Sequence, residues 1–162
     1  MNTTYFTTPI GQVSVQYTYT DTNKVFVYRI FFEEMTQTHH NLECEELELI
    51  SYALSQYFEG SSSAWNKLQV VFPKGTDFQN LVWSEIYKVP YGRTKTYAEI
   101  ADNIGKPKAY RAVANACGKN PILLLIPCHR IVSSTDGVGG YVAGRERKRF
   151  LLNLEKKFAN LH

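Results

Sequence analysis

The chain reads as an α+β protein, and three patterns in its 162 residues lead there. The first third is rich in Thr, Val and Tyr between turn clusters, which is the composition of strands. Most of the remaining chain carries apolar residues at spacings of three and four, which collect on one face of a helix. Between the two styles stands Pro73-Lys74-Gly75, a turn cluster and the best boundary in the chain. Residues 1–72 are therefore expected to form a small β-sheet with a helix. Residues 73–162 are expected to form a mainly helical domain.

From the N-terminus, Thr3–Thr7 and Gln12–Tyr19 flank Pro9-Ile10-Gly11 and read as a hairpin, and Asp21-Thr22-Asn23 turns the chain into a third strand over Lys24–Phe32. Between Cys44 and Glu59, Leu47, Ile50, Leu54, Tyr57 and Phe58 recur at helical spacing until Gly60-Ser61-Ser62-Ser63 ends the run. Leu68–Phe72 is a short strand-like stretch. Past the boundary, Phe78, Leu81, Val82 and Ile86 share a helix face that stops before Pro90. Thr96-Tyr97-Ala98-Glu99 is a capping box, in which threonine and glutamate side chains satisfy open amides at a helix start. That helix runs to about Ile104. After Lys106-Pro107 a second one packs through Ala109, Ala112, Val113 and Ala116, leaving Tyr110, Arg111 and Asn115 outward. Two short helices around a tight turn have the layout of a helix-turn-helix, winged-helix-like unit, although such pairs also serve as plain scaffold. The tail from Arg145 forms a last helix with Phe150, Leu151, Leu154 and Phe158 as its apolar stripe.

Composition excludes several classes of function. Hydrophobic residues make up 44% and charged residues 20%, so disorder is not expected. The longest apolar run, Ile122 to Ile126, is far too short for a membrane span, and the N-terminus lacks the layout of a signal peptide. Three cysteines, Cys44, Cys117 and Cys128, show neither disulfide nor metal-ligand spacing, which favours a reducing cytoplasmic (or nucleoid-associated) setting. His39-His40 and Cys44 lie within six residues but do not make a closed metal site, so no metal is expected. Residues 1–72 hold three Lys/Arg against eight Asp/Glu, a net of −5. Residues 73–162 hold fifteen against seven, a net of +8. A basic half suits a polyanionic partner, although charge runs are also ordinary solvated faces. Arg145, Arg147, Lys148 and Arg149 crowd the start of the last helix, where positive charge opposes the macrodipole, a cost that a nearby anion or solvent alone would relieve.

The sharpest chemistry lies in Asn120-Pro121, the apolar run to Ile126, then Pro127-Cys128-His129-Arg130-Ile131-Val132. A thiol is nucleophilic as thiolate, and an adjacent imidazole is the type of base that makes it so. This string resembles the active-site signature of the O6-alkylguanine-DNA alkyltransferases. The likeness extends from about Phe78 to Glu155 through Val89-Pro90-Tyr91-Gly92, Thr96-Tyr97, Arg111-Ala112-Val113 and Gly139-Gly140-Tyr141. It implies a cofactor-free, single-turnover enzyme that flips a damaged base out of duplex DNA and moves its alkyl group onto its own cysteine. Cys128 falls on the acceptor, His129 on its base and Glu155 on the carboxylate that orients the histidine. Asn120 falls on the asparagine holding the active-site turn. Tyr97 falls on the tyrosine beside the target phosphate, which can also serve the leaving guanine. The resemblance further implies DNA contacts from Arg111, Tyr97, Ala98, Lys106 and Ser134, with Ile131, Gly140 and Tyr141 lining the guanine pocket. Double-stranded DNA carrying O6-alkylguanine, and O4-alkylthymine as well, is the implied substrate, and a monomer the implied state. Val142 stands where many relatives carry serine, and Ala143 where glycine is frequent, which bears on rate and adduct range. Two other readings remain: a cysteine hydrolase or thiol redox protein, and a lesion-binding relative without activity. Cys128 counts against the second, since that relative has tryptophan there, and the helix pair with Arg111 counts against the first.

Overall fold

The computed structural model describes residues 1–21, 25–34 and 45–161, without the side chains of Tyr19, Val25, Glu45 and Glu46. The expected turn at Asp21-Thr22-Asn23 falls partly outside them, and His39, His40 and Cys44 entirely so. The chain divides into two compact units, Met1–Phe72 and Pro73–His162.

In the first unit, β1 (Asn2–Thr8), β2 (Gly11–Tyr19) and β3 (Val25–Glu33) form an antiparallel sheet in that order. Val13, Val15 and Tyr17 alternate along β2 and are buried, as the period of two requires. On β3 the buried residues are Val27 and Ile30, an odd spacing. A register shift opposite Gln16/Tyr17 explains it, because Val27 faces Tyr17 while Ile30 faces Val15. The extra residue flips the parity once and keeps both side chains on the core face. α1 (Glu45–Phe58) buries Leu47, Ile50, Ala53, Leu54 and Tyr57. Beyond it Val70 makes one parallel bridge to Val27, with the Val71 amide donating to the Val27 carbonyl at 2.9 Å. The strand-like stretch Leu68–Phe72 is thus a single bridge.

The second unit contains α2 (Asp77–Tyr87), β4 (Lys95–Thr96), α3 (Tyr97–Asn103), α4 (Tyr110–Gly118), a 3₁₀ turn at Cys128–Arg130, β5 (Ile131–Val132) and α5 (Arg145–Ala159). Thr76 and Thr96 both close capping boxes, with Gln79 and Glu99 respectively. α2 buries Val82, Trp83 and Ile86, and the Trp83 indole donates to the Ala116 carbonyl at 2.9 Å, which pins α4 to α2. Leu81, expected inside, is 49% exposed. Val82 and Ile86 are buried as expected, and Trp83 joins them in place of Leu81, its indole reaching a polar partner. On α4 the buried set is Val113, Ala116 and Cys117, while Ala112 is exposed rather than packed. α3 and α4 are joined through Gly105, whose φ of +73° lets the chain leave α3 in a left-handed turn. β4 and β5 pair in parallel, Lys95 with Ile131 and Thr96 with Val132. That two-residue ladder ties the start of α3 to the segment just past Cys128.

Candidate active site

The segment before Cys128 is buried throughout, from Ile122 to Ile126, and is bent sharply. Leu124 sits at φ +69°, a left-handed conformation that a Leu side chain resists. Asn120 holds the bend closed. Its Oδ1 accepts from the Ile122 amide at 3.0 Å, and its Nδ2 donates to the Ile126 carbonyl at 2.7 Å. The same Nδ2 lies 3.2 Å from the Cys128 sulfur. One side chain therefore sets the turn and touches the Cys128 sulfur.

Behind the cysteine lies a buried charged cluster. His129 Nε2 is 2.7 Å from Glu155 Oε1, with the histidine fully buried. Arg130 grips the same carboxylate through Nε at 2.9 and 3.1 Å and through a terminal nitrogen at 3.0 Å. Its other terminal nitrogen donates to the Val89 carbonyl at 2.7 Å. The Gly92 amide donates to Glu155 Oε2 at 3.1 Å. Burial raises the Glu155 carboxyl, yet His129 and Arg130 outweigh it and hold the group at about 2. Burial lowers the His129 pKa, against the pull of Glu155. With Nε2–H donating to the carboxylate, the neutral ring carries its lone pair on Nδ1. Burial likewise pushes the Cys128 thiol up to about 11, against the Asn120 amide and the Lys148 ammonium. The adjacent imidazole therefore does not by itself make the resting sulfur a thiolate. Desolvation exceeds the neighbouring groups, and the resting pair is a neutral thiol and a neutral imidazole.

In front of the cysteine is a pocket of about 450 Å³, lined among others by Tyr97, Cys117, Gly139, Gly140, Tyr141 and Val142. Its far wall is the loop 133–142. Asp136 shapes that loop by accepting from the Val138 and Gly139 amides at 3.0 and 2.9 Å, and by pairing with Arg145 at 2.9 Å. Gly139, at φ +77°, packs so closely on Tyr97 that a Cβ there would lie 2.6 Å from the phenol oxygen. Burial raises the Tyr97 phenol to about 12, so it is a proton donor at neutral pH. Val142 is 54% exposed at the rim.

Three comparisons bear on this arrangement. Residues 77–157 match the family model described as the DNA binding domain of 6-O-methylguanine DNA methyltransferase. A probable methylated-DNA–protein-cysteine methyltransferase of Acanthamoeba polyphaga mimivirus is 41% identical over 150 residues, which is 93% of each chain. The chain belongs to the methylated-DNA–protein-cysteine methyltransferase family. A second relative, the Haemophilus influenzae enzyme, is 33% identical over 94% of this chain and 85% of its own. The crystal structure of Mycobacterium tuberculosis OGT in complex with DNA superposes with a TM-score of 0.76 at 33% identity, covering 95% of this chain and 92% of that one. The α+β class expected from the sequence is that of these relatives.

Within this family's fold, Cys128, His129, Glu155 and Asn120 converge behind the pocket, and Tyr97, Gly140 and Tyr141 line it. Ile131 stands just past the cysteine and contributes its carbonyl to Lys148 at 2.5 Å. Ala98, Lys106, Arg111 and Ser134 are exposed and touch none of the buried cluster. Arg111 lies over the Tyr110 ring, 5.8 Å from its centroid. Two residues escaped the sequence reading. Arg130 was visible only as the tail of the cysteine string, and Lys148 as one of four basic residues. For Lys148 the signal was its register, because Lys148, Leu151 and Glu155 fall at i, i+3 and i+7 on one helix face.

Proposed function

We propose that Cys128 accepts an alkyl group from O6-alkylguanine in duplex DNA, and from O4-alkylthymine, in a single irreversible turnover. The observation that carries the reading is a cysteine at the wall of an open pocket, backed by the buried Asn120, His129, Glu155 and Arg130. A base inside a helix cannot reach that pocket, so the nucleotide rotates out at a cost of about a few kcal/mol. Arg111, exposed on α4, fills the vacated stack. Tyr97 presses on the adjoining phosphate, and Ala98, Lys106 and Ser134 contact the backbone. The basic surface of residues 73–162 supplies sequence-independent affinity.

Chemistry begins from the neutral pair. As the sulfur attacks the alkyl carbon in line, the thiol proton passes through a water to His129 Nδ1. The imidazolium formed is stabilised by Glu155, which Arg130 keeps in place. The carbon–oxygen bond breaks toward guanine, which takes a proton from Tyr97 or its network. The backbone carbonyls of Cys128 and Ile131 accept the guanine amino hydrogens, while Gly140 and Tyr141 bound the ring. The product is a thioether, so one monomer repairs one base and needs no cofactor. Intact-mass analysis after incubation with duplex O6-methylguanine DNA tests this. Wild type should gain one methyl group on Cys128, and Cys128→Ala none while still binding the lesion. Methyl transfer to Cys117 or Cys44 would overturn the assignment.

A further inference from the structure

Asp136 is the only acidic residue between Cys128 and Arg145, in a part of the chain whose net charge is +8. It stands two positions past Ser134, in a loop placed against the DNA backbone, where a carboxylate repels phosphate. An acid at such a place serves something other than DNA contact. Its Oδ1 accepts from the Val138 amide at 3.0 Å and from the Gly139 amide at 2.9 Å, and its Oδ2 takes the Arg145 guanidinium at 2.9 Å. Those two amides, ahead of Arg145, hold the carboxyl down at about 2, so it is ionised at neutral pH. Arg145 opens α5, the helix that carries Glu155. One exposed carboxylate thus joins the pocket loop to the helix that serves the buried cluster.

The two ends of the loop have their own ties. The Gly137 amide donates to the Ser133 carbonyl at 2.9 Å, and the Gly144 amide to the Tyr141 carbonyl at 3.0 Å. Between those ties, Val138 and Gly139 donate to Asp136. Gly139 is also where the loop presses on Tyr97, so the backbone that Asp136 holds is the backbone that meets the opposite wall. Gly139, Gly140, Tyr141 and Val142 line the pocket, while Asp136 stands outside it. We infer that Asp136 is a positioning residue for the guanine base: through the Val138 and Gly139 amides, and braced by Arg145, it keeps the loop against Tyr97 and so fixes the width of the pocket. This rests on the pocket being the seat of the guanine. The two kinds of bond are unequal. An exposed ion pair contributes little by itself, whereas charge-assisted bonds to two successive amides fix the path of the chain. The hold on the backbone is therefore the larger part, and Arg145 the smaller.

Benzyl transfer from free O6-benzylguanine, followed by intact mass over a concentration series, reads the guanine seat without DNA. Iodoacetamide labelling of Cys128 reads the thiol without the guanine. Both are measured on wild type, Asp136→Ala, Asp136→Asn and Arg145→Ala, each first shown to be folded by circular dichroism. Asparagine keeps an acceptor for the amides but not the charge. Asp136→Ala should raise the half-saturating concentration about tenfold, because both amides lose their acceptor. Asp136→Asn and Arg145→Ala should raise it about threefold. Maximal rate and iodoacetamide labelling should stay within about twofold of wild type, since the reacting groups are untouched. Affinity of Asp136→Asn for undamaged duplex should hold or rise, because a negative charge has been removed. A half-saturating concentration unmoved in folded Asp136→Ala overturns the proposal. So does labelling that falls in step with transfer, which would place the residue in the fold around Cys128, and so does a fall in duplex affinity, which would place it in the DNA surface. Should Asp136→Ala fail to fold, the two milder surface variants decide, and wild-type values in both overturn the proposal. If wild type takes the benzyl group at a residue other than Cys128, or takes none, the acceptor assignment has failed instead.

Discussion

At the scale of single residues, the site shows how burial and partners divide one task. Glu155 would be neutralised by its surroundings were it alone, but His129, Arg130 and the Gly92 amide converge on it and keep it ionised. Its folded pKa of about 2 lies below the ordinary 4.5. A depressed carboxyl contributes stability above the unfolded value and loses it as pH falls through the folded one. Wild type should therefore lose stability between about pH 4.5 and 2, and Glu155→Gln should flatten that part of the curve in urea titrations across pH. The same variant tests chemistry. The amide keeps the shape but no longer favours the imidazolium, so alkyl transfer at neutral pH should slow by about tenfold or more while duplex affinity stays near wild type. An unchanged transfer rate in a folded Glu155→Gln protein would leave the residue with a structural role only.

At the scale of elements, short pieces of backbone matter more than their length suggests. The turn at Pro90-Tyr91-Gly92 connects α2 to β4 and presents one amide to Glu155. Gly92 adopts φ +76°, and a Cβ there would stand 2.4 Å from the Ala159 Cβ near the end of α5. Both the conformation and the space demand glycine. Gly92→Ala should cost about 1–3 kcal/mol in denaturant unfolding. It should also weaken the hold on Glu155, so the loss of transfer should exceed what a surface Gly105→Ala produces, where a Cβ meets nothing within 4 Å. α5 makes the related point about helix faces. Its basic first turn needs no outside anion, because Arg145 pairs with Asp136, Arg147 donates to the Ala143 carbonyl at 3.1 Å, and Lys148 turns inward. The apolar stripe predicted through Phe150 is displaced, with Phe150 40% exposed and the buried line running Lys148, Leu151, Glu155.

At the scale of the whole molecule, charge is the property that acts at a distance. With a net of +8 over residues 73–162, duplex affinity should fall steeply with salt, by about 0.9 in log K per log unit of salt for each phosphate contacted. Lys106→Ala should lower that slope by about one. Arg111→Ala should instead impair repair in duplex DNA far more than reaction with free O6-benzylguanine, since only the duplex has a stack to fill. Filter binding across a salt series and paired rate measurements check both, and equal losses on the two substrates would place Arg111 in the fold or pocket. The sequence alone determined the α+β class, the helices, the capping box at Thr96 and the identity of the cysteine string, because periodicity and capping are local properties of the chain. It could not place Arg130, Lys148 or the Gly92 amide, whose partners lie 25, 17 and 63 positions away. It could not give the resting state of the thiol either, since pKa depends on how completely the surrounding fold excludes water. Only tertiary structure decides which polar side chains turn inward, because burying a charge is tolerable only where distant segments deliver its partners together.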